Sequence, residues 1–459
     1  MLNLEKKFLL CLVPAALWVA DVFAENTSPV PEPVRSSVTQ AMADYDVPGL
    51  AIGRVVAGEV AWLGTVGQAD ENRPVDVNTI FNVASLTKPL FATLVMHLVQ
   101  DGRLALDDPL AYYWIDPDVE DDPRHLQLTA RLALSHQTGF PNWRGNNELA
   151  FLFDPGSRHE YSGEGFEYVR RALERKTGQT LSELMDQYIT APLGMEDTRF
   201  GWHHSLEEKI ARGFDEQASP LDMGYLQQRS ANAAANTFTT LADYTRFAAW
   251  VSRGAGLEPA LFNDMMTLQS QHEAPWEYFG LGWRLVQLDN RTILEHDGRE
   301  NGVRTQVFVD PAVGDGLVIL TNSSNGELVV RPLVEAAWRD SDTLLRQRDL
   351  DTWHYLQSLP VAMHQGLLQF ISTSPSFTQK LMHAAQIGLI EPAGLPVSEY
   401  DAIKANIDPF VKAFHDQQVN QPAVLDLLLM LGEVDGDSFR LSHSFTAEQA
   451  REWGRQIQL

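Results

Sequence analysis

The stretch Phe81-Asn82-Val83-Ala84-Ser85-Leu86-Thr87-Lys88 decides how this chain is read. Leu86, Leu90, Leu94 and Leu98 recur near every fourth residue and predict a helix over 85–100, with Gly102 as its stop. Proline is best tolerated near a helix start, so Pro89 places Ser85 in or beside the first turn. Residues three apart share a helix face, which lets the Ser85 hydroxyl and the Lys88 amine meet. A serine hydroxyl is a weak nucleophile until a neighbouring base takes its proton. A lysine is such a base once burial or nearby positive charge brings its pKa down from about 10.4. A free backbone N–H at the helix start can also face a developing oxyanion. Ser-x-x-Lys is common text, so the surroundings must carry the argument.

Working outward, 49–56 and 59–66 are rich in apolar and β-branched residues, and Ala57-Gly58 joins them as a hairpin. A first helix is predicted over 34–46. Strands are predicted at 292–296, 305–309 and 317–321, with Gly314-Asp315-Gly316 between the last two and a closing helix over 328–346. Between these ends, 107–290 reads as short helices and Pro/Gly-rich loops. Strands at both ends with helices between predict an α/β (α+β) fold: a mixed, largely antiparallel sheet flanked by helices, with a helical lobe. From Asp349 onward strand signals vanish. Helical runs near 362–371, 376–389, 399–416 and 421–431, punctuated by prolines, predict a C-terminal helical extension over 349–459 beside a main domain over 25–348.

The chain has 459 residues, 44% of them hydrophobic, with 35 Lys+Arg against 61 Asp+Glu and a net charge of −26. That acidic surface argues against nucleic acid or anionic membrane as a partner, since both need clustered cations. The lone cysteine, Cys11, forms no internal disulfide and no thiolate metal cage. Residues 1–24 read as a signal peptide, with Lys6-Lys7, an apolar run from Phe8 to Ala20, and a small residue at Ala24. Cleavage there predicts an exported, periplasmic or secreted protein without cysteine and without an integral membrane segment.

Two further motifs follow the first. Tyr161-Ser162-Gly163 offers a tyrosine that relays protons when held near a serine and a lysine. His296-Asp297-Gly298 sits at a predicted strand end, where the glycine lets a substrate backbone lie close. Taken singly, each is as readily a half-buried tyrosine or a strand-end turn. No metal is expected. His203-His204 with Glu207 reads as a solvated helix start, no His-Glu-x-x-His spacing occurs, and Asp435-Gly436-Asp437 reads as a turn. No cofactor is expected either.

Order and context together make the sequence resemble the penicillin-recognising serine hydrolases of the class C β-lactamase-like family, with its D,D-carboxypeptidase, D-aminopeptidase and esterase branches. Residues 81–88 look like its nucleophile segment. Gly102-Arg103-Leu104-Ala105-Leu106-Asp107-Asp108-Pro109, Leu134-Ser135-His136-Gln137-Thr138-Gly139-Phe140-Pro141, Pro192-Leu193-Gly194-Met195 and Gly280-Leu281-Gly282-Trp283 extend the likeness in family order over 34–340. The resemblance implies that Ser85 is acylated, that Lys88 and Tyr161 share the base and acid work, and that the N–H groups of Ser85 and Arg299 form an oxyanion hole. It also implies that Gly163, His296, Gly298 and Arg299 bind substrate, a small molecule or peptide. Two departures stand out. Gly163 replaces an asparagine whose amide would hold a substrate carbonyl, and His296 replaces a lysine that would stay charged at neutral pH. The second argues against efficient β-lactamase activity, and leaves Arg299 and Arg304 as the nearest cations for a substrate carboxylate. The expected function is hydrolysis of an ester or amide. The other reading is a non-catalytic scaffold whose helical tail recruits a partner.

Overall fold

The computed structural model describes residues 28–271, 278–358, 373–435, 438–441 and 444–458. The expected signal peptide, the helical run at 362–371 and the Gly436-Asp437 turn lie outside the described residues.

The chain begins with α1 (Glu32–Asp44), β1 (Gly49–Val56) and β2 (Glu59–Gly67). Ala57 and Gly58 both have positive φ, 51° and 82°, the pairing a type I′ turn needs to match the twist of its strands. The middle runs through β3 (Ile80–Asn82), α2 (Thr87–Gln100), α3 (Ala130–Leu134), α4 (Gly163–Thr177), α5 (Leu181–Met185), α6 (Ala191–Leu193), β4 (Arg199–Phe200), β5 (Thr237–Thr240), α7 (Leu241–Val251) and α8 (Pro259–Met266). β6 (Ser270–Gln271), β7 (Tyr278–Phe279), β8 (Arg284–Leu288), β9 (Arg291–Glu300), β10 (Val303–Asp310) and β11 (Asp315–Thr321) then complete the main sheet.

That sheet has eight strands in the order β2-β1-β11-β10-β9-β8-β7-β6, so strands from both ends of the main domain meet at β1 and β11. Its pairings are antiparallel. A small sheet, β3-β5-β4, sits in the middle segment. Successive side chains of a strand point to opposite faces, and both faces are covered. Ala51, Val307, Val318 and Leu320 pack with α2, α4 and α7, while Leu50, Ile52, Phe308 and Ile319 pack with α1 and the C-terminal helices. Double burial explains why β11 reads as a near-continuous apolar run rather than an alternating one.

Three expectations need correction. The closing helix is two helices, α9 (Val330–Ala337) and α10 (Ser341–Ser358). Trp338 is extended (φ −93°, ψ 133°) because its ring drops into the core, 5.2 Å from the Arg54 guanidinium and 6.1 Å from the Phe308 ring. The middle segment carries β4 to β8, strands of two to five residues, too short for a periodic signal. The tail is not all helix. After α11 (Pro375–Ala385), α12 (Val397–His415) and α13 (Gln421–Leu429) comes a hairpin, β12 (Gly432–Asp435) with β13 (Ser438–Leu441), then α14 (Ala447–Gln456). α10 carries the chain past position 349 without a break, and Trp353, Leu356, Leu381 and Met382 share one apolar cluster with β1, β8 and β11. The tail therefore covers a face of the main sheet. Among the described residues, no helix is long and apolar enough to cross a membrane.

Candidate active site

Ser85 lies in a tight helical turn, Ala84–Leu86, that leads into α2. Ala84 is left-handed at φ 46°, a costly conformation for a residue with a Cβ. Three bonds hold it. Asn82 Oδ1 accepts the Ala84 N–H at 2.8 Å, Thr87 Oγ1 donates to the Ala84 carbonyl at 2.7 Å, and the Tyr244 hydroxyl donates to the Leu86 carbonyl at 2.9 Å. The turn also abuts β9. A Cβ on Gly298 would stand 2.3 Å from the Val83 carbonyl oxygen, which already accepts from Thr305 Oγ1 at 3.1 Å. Gly298 is glycine because the turn carrying Ser85 passes that close.

Lys88 Nζ lies 3.1 Å from Ser85 Oγ and 2.9 Å from the Ala234 carbonyl. The side chain is fully buried, and Nζ sits 4.6 Å from the Tyr161 ring centre and 5.7 Å from that of Phe166. Burial brings its pKa down to about 7, against opposing pulls from Asp297 and Glu167. Glu167 also accepts the Ala233 N–H at 2.7 Å, which fixes the loop carrying the Ala234 carbonyl.

His136 supports the Tyr161 segment. It is buried and left-handed (φ 59°), its ring stacks on Tyr161 at 4.3 Å, and its Nδ1 accepts the Ser162 N–H at 3.0 Å. That bond needs a neutral ring, and burial with His159, Lys88 and His296 nearby keeps it neutral.

Ser85 and Tyr161 open onto a cleft of about 670 Å³, also lined by Asn142, Trp143, Arg284, Asp297 and Arg299. Asn142 and Trp143 were not singled out in the sequence. Their only signal was position, directly after Gly139-Phe140-Pro141. They account for Gly163, which does not line the cleft. Its N–H is taken by the Asn142 main-chain and side-chain oxygens, both at 3.0 Å, and a Cβ there would meet the Trp143 ring at 2.6 Å.

His296 is also absent from the cleft wall. It is 1% exposed, its Nδ1 is 2.7 Å from the Asp297 carbonyl, and its ring lies 6.3 Å from that of Tyr161. Burial lowers its pKa to about 3, with Lys88 and Arg284 adding to the effect over the opposition of Asp297. It is therefore neutral at any physiological pH. Gly298 lies beneath the cleft against Val83, whereas Arg299 lines it and gives its guanidinium to Glu327 at 2.7 Å. Arg304 donates to the carbonyls of Glu300 and Val303. Asp297 lies well below the usual carboxylate range. Desolvation opposes this, and Arg284, His296, Arg299 and Lys380 together prevail.

β8 pairs with β9 only from Arg291 to Glu295, so the β8-side edge of β9 beyond Glu295 has no strand partner among the described residues. An extended substrate segment can pair there. A cleft serine touching a buried lysine, beside an open antiparallel edge, places the fold and site in the class of β-lactamase-fold serine hydrolases.

The family model for Beta-lactamase matches residues 34–337, and the chain belongs to that family. It is similar to the unguisins hydrolase ungD of Aspergillus violaceofuscus, 25% identical over 357 residues that cover 65% of this chain and 62% of that protein. It is 30% identical to the esterase EstB of Burkholderia gladioli over 176 residues, 31% of this chain and 44% of that one. Its fold matches the D-amino acid amidase of Ochrobactrum anthropi with a TM-score of 0.56 at 23% identity, covering 66% of this chain and 98% of that chain. The chain spans less than two thirds of the length of these two curated relatives.

Proposed function

We propose that the chain is an exported serine hydrolase that cleaves an ester or amide through an acyl-enzyme on Ser85. The observation that carries this reading is the 3.1 Å contact between Ser85 Oγ and a buried Lys88 Nζ whose pKa lies near 7. Neutral Lys88 takes the Ser85 proton as Oγ bonds to the substrate carbonyl carbon. The N–H groups of Ser85 and Arg299 receive the oxyanion. Tyr161, held by His136, returns a proton to the leaving oxygen or nitrogen as its bond to the acyl carbon breaks. A water then attacks the acyl-enzyme with the same groups in reverse order, freeing the acid and Ser85.

The Lys-to-His change at position 296 supports substrates other than β-lactams, because a buried neutral imidazole offers no cation to a carboxylate. The related esterase and amidase support esters and amides as the substrate class. Export is supported by the character of residues 1–24. A panel of p-nitrophenyl esters and D-amino-acid amides on purified protein, with a Ser85→Ala control, tests the reading. Hydrolysis that survives unchanged in Ser85→Ala defeats it.

A further inference from the structure

The tail beyond the matched domain touches the charged wall of the cleft through two relays of ion pairs. In the first, Arg348 on α10 places Nε 3.1 Å from Glu295 Oε2. Arg284 on β8 bridges onward, with Nη1 3.3 Å from Glu295 Oε1 and 2.9 Å from Asp297 Oδ1. In the second, Lys380 on α11 pairs with Glu327, which holds the Arg299 guanidinium at 2.7 Å. Arg284, Asp297 and Arg299 all line the cleft, while Arg348 and Lys380 do not.

We propose that the tail is a working part of the site, with Arg348 and Lys380 as positioning residues that fix the Arg284–Asp297 pair and the Arg299 guanidinium. Glu295 is 2% exposed, and a carboxylate buried that deeply holds tightly to whatever cations reach it. It faces Arg284 on β8 and both Arg348 and Asp351 on α10. Arg284 is shared between Glu295 and Asp297. While Arg348 pairs with Glu295, Arg284 is left to cover Asp297. Without Arg348, Glu295 draws Arg284 inward and Asp297 is uncovered.

That exchange reaches the nucleophile. Lys88 is surrounded by Ser85 and Ala234, the Tyr161 and Phe166 rings, the neutral His136 and His296, and the carboxylates Asp297 and Glu167. Asp297 is the foremost of the two carboxylates that favour a charged Lys88. An uncovered Asp297 keeps Lys88 protonated to higher pH, and loss of the Arg348 charge acts in the same direction. The catalytic part of this inference rests on Lys88 serving as the base; the geometric part does not.

Full-length Arg348→Gln, Arg348→Lys and Glu295→Gln test it with two readouts. A crystal structure of Arg348→Gln is expected to show the Arg284 guanidinium closed on Glu295 and parted from Asp297. The pH profile of Ser85 acylation by a fluorophosphonate is expected to show the acid limb moved up by about half a unit in Arg348→Gln, the scale of one partly screened charge. It returns in Arg348→Lys and moves below wild type in Glu295→Gln, where Arg284 is freed for Asp297. Should Arg348→Gln not fold, the downward shift in the isosteric Glu295→Gln decides the matter. An Arg284 that stays on Asp297, with limbs matching wild type in every variant, overturns the proposal. Absence of any Ser85 adduct in wild type refutes the serine reading instead, and the crystal structure then judges the relays.

Discussion

Gly298→Ala is the substitution whose cost can be worked most directly from the geometry. A Cβ at this position would lie 2.3 Å from the Val83 carbonyl oxygen and 2.2 Å from Thr305 Oγ1. Carbon and carbonyl oxygen rest at about 3.3 Å, so the Ser85 turn and β9 must part by about 1 Å. Val83 is two residues before Ser85, and its carbonyl is tied to Thr305, so the separation moves the serine relative to the strand. Overpacking of this kind costs about 1–3 kcal/mol of stability. A misplacement of about 1 Å costs roughly a hundredfold in rate. Gly316→Ala on β11 is the control, because its nearest neighbour would be Val55 Cβ at 3.2 Å, a contact that a small adjustment relieves. The assay is kcat/KM on the best ester or amide beside thermal unfolding. Gly298→Ala is expected to lose about a hundredfold in kcat/KM with a lowered Tm, and Gly316→Ala to keep its activity. A Gly298→Ala enzyme within threefold of wild type, with an unchanged Tm, would show that the close approach of turn and strand does not position Ser85.

The acid limb of kcat/KM is expected near pH 7, with activity rising as pH increases, because Lys88 acts as a base only once deprotonated and its pKa lies at about 7; a limb below pH 5 would contradict this. Its folded pKa is lowered from 10.5, so between pH 7 and 10.5 the unfolded chain binds more protons and Lys88's penalty on the fold is relieved as pH rises. The stability gain of Lys88→Met over wild type should therefore be largest below pH 7 and vanish toward pH 10.5, while its turnover falls at least about a hundredfold. His296→Lys buries a second ammonium beside Lys88 and Arg284, so Tm should fall with no gain in β-lactam hydrolysis; a stable variant with new β-lactamase turnover would refute the account of position 296. Trp338→Ala empties the notch beneath Arg54 and Phe308 and should cost about 3–5 kcal/mol by denaturant unfolding; a loss below about 1 kcal/mol would mean the α9–α10 break has another cause.

What could be read from the sequence followed from local physics. The leucines of 86–98 give α2 its apolar face, and the apolar, β-branched runs within 49–66 and 292–321 give the central strands, because a strand buried on both faces shows as a continuous apolar run. Ser85 and Lys88 were readable as a pair because their spacing alone brings them together. Gly163 and His296 lie off the cleft wall for one shared reason: whether a side chain reaches the cleft depends on what packs over it. Trp143 and Asn142 fill the ground in front of Gly163, and the burial of His296 comes from strands and helices far apart in sequence. β12 and β13, at four residues each, left no period to detect. The Arg348–Glu295–Arg284–Asp297 relay joins residues from two strands and a tail helix, so no spacing along the chain announces it.

The central claim is that Ser85, activated by Lys88, carries the acyl group. Intact-mass and peptide-mapping mass spectrometry after incubation with a fluorophosphonate or a slowly turned-over p-nitrophenyl ester tests it most directly. One adduct per chain is expected, on the peptide containing Ser85, abolished in Ser85→Ala and formed at least about a hundredfold more slowly in Lys88→Ala. An unlabelled Ser85 in an enzyme that still turns over substrate would contradict it.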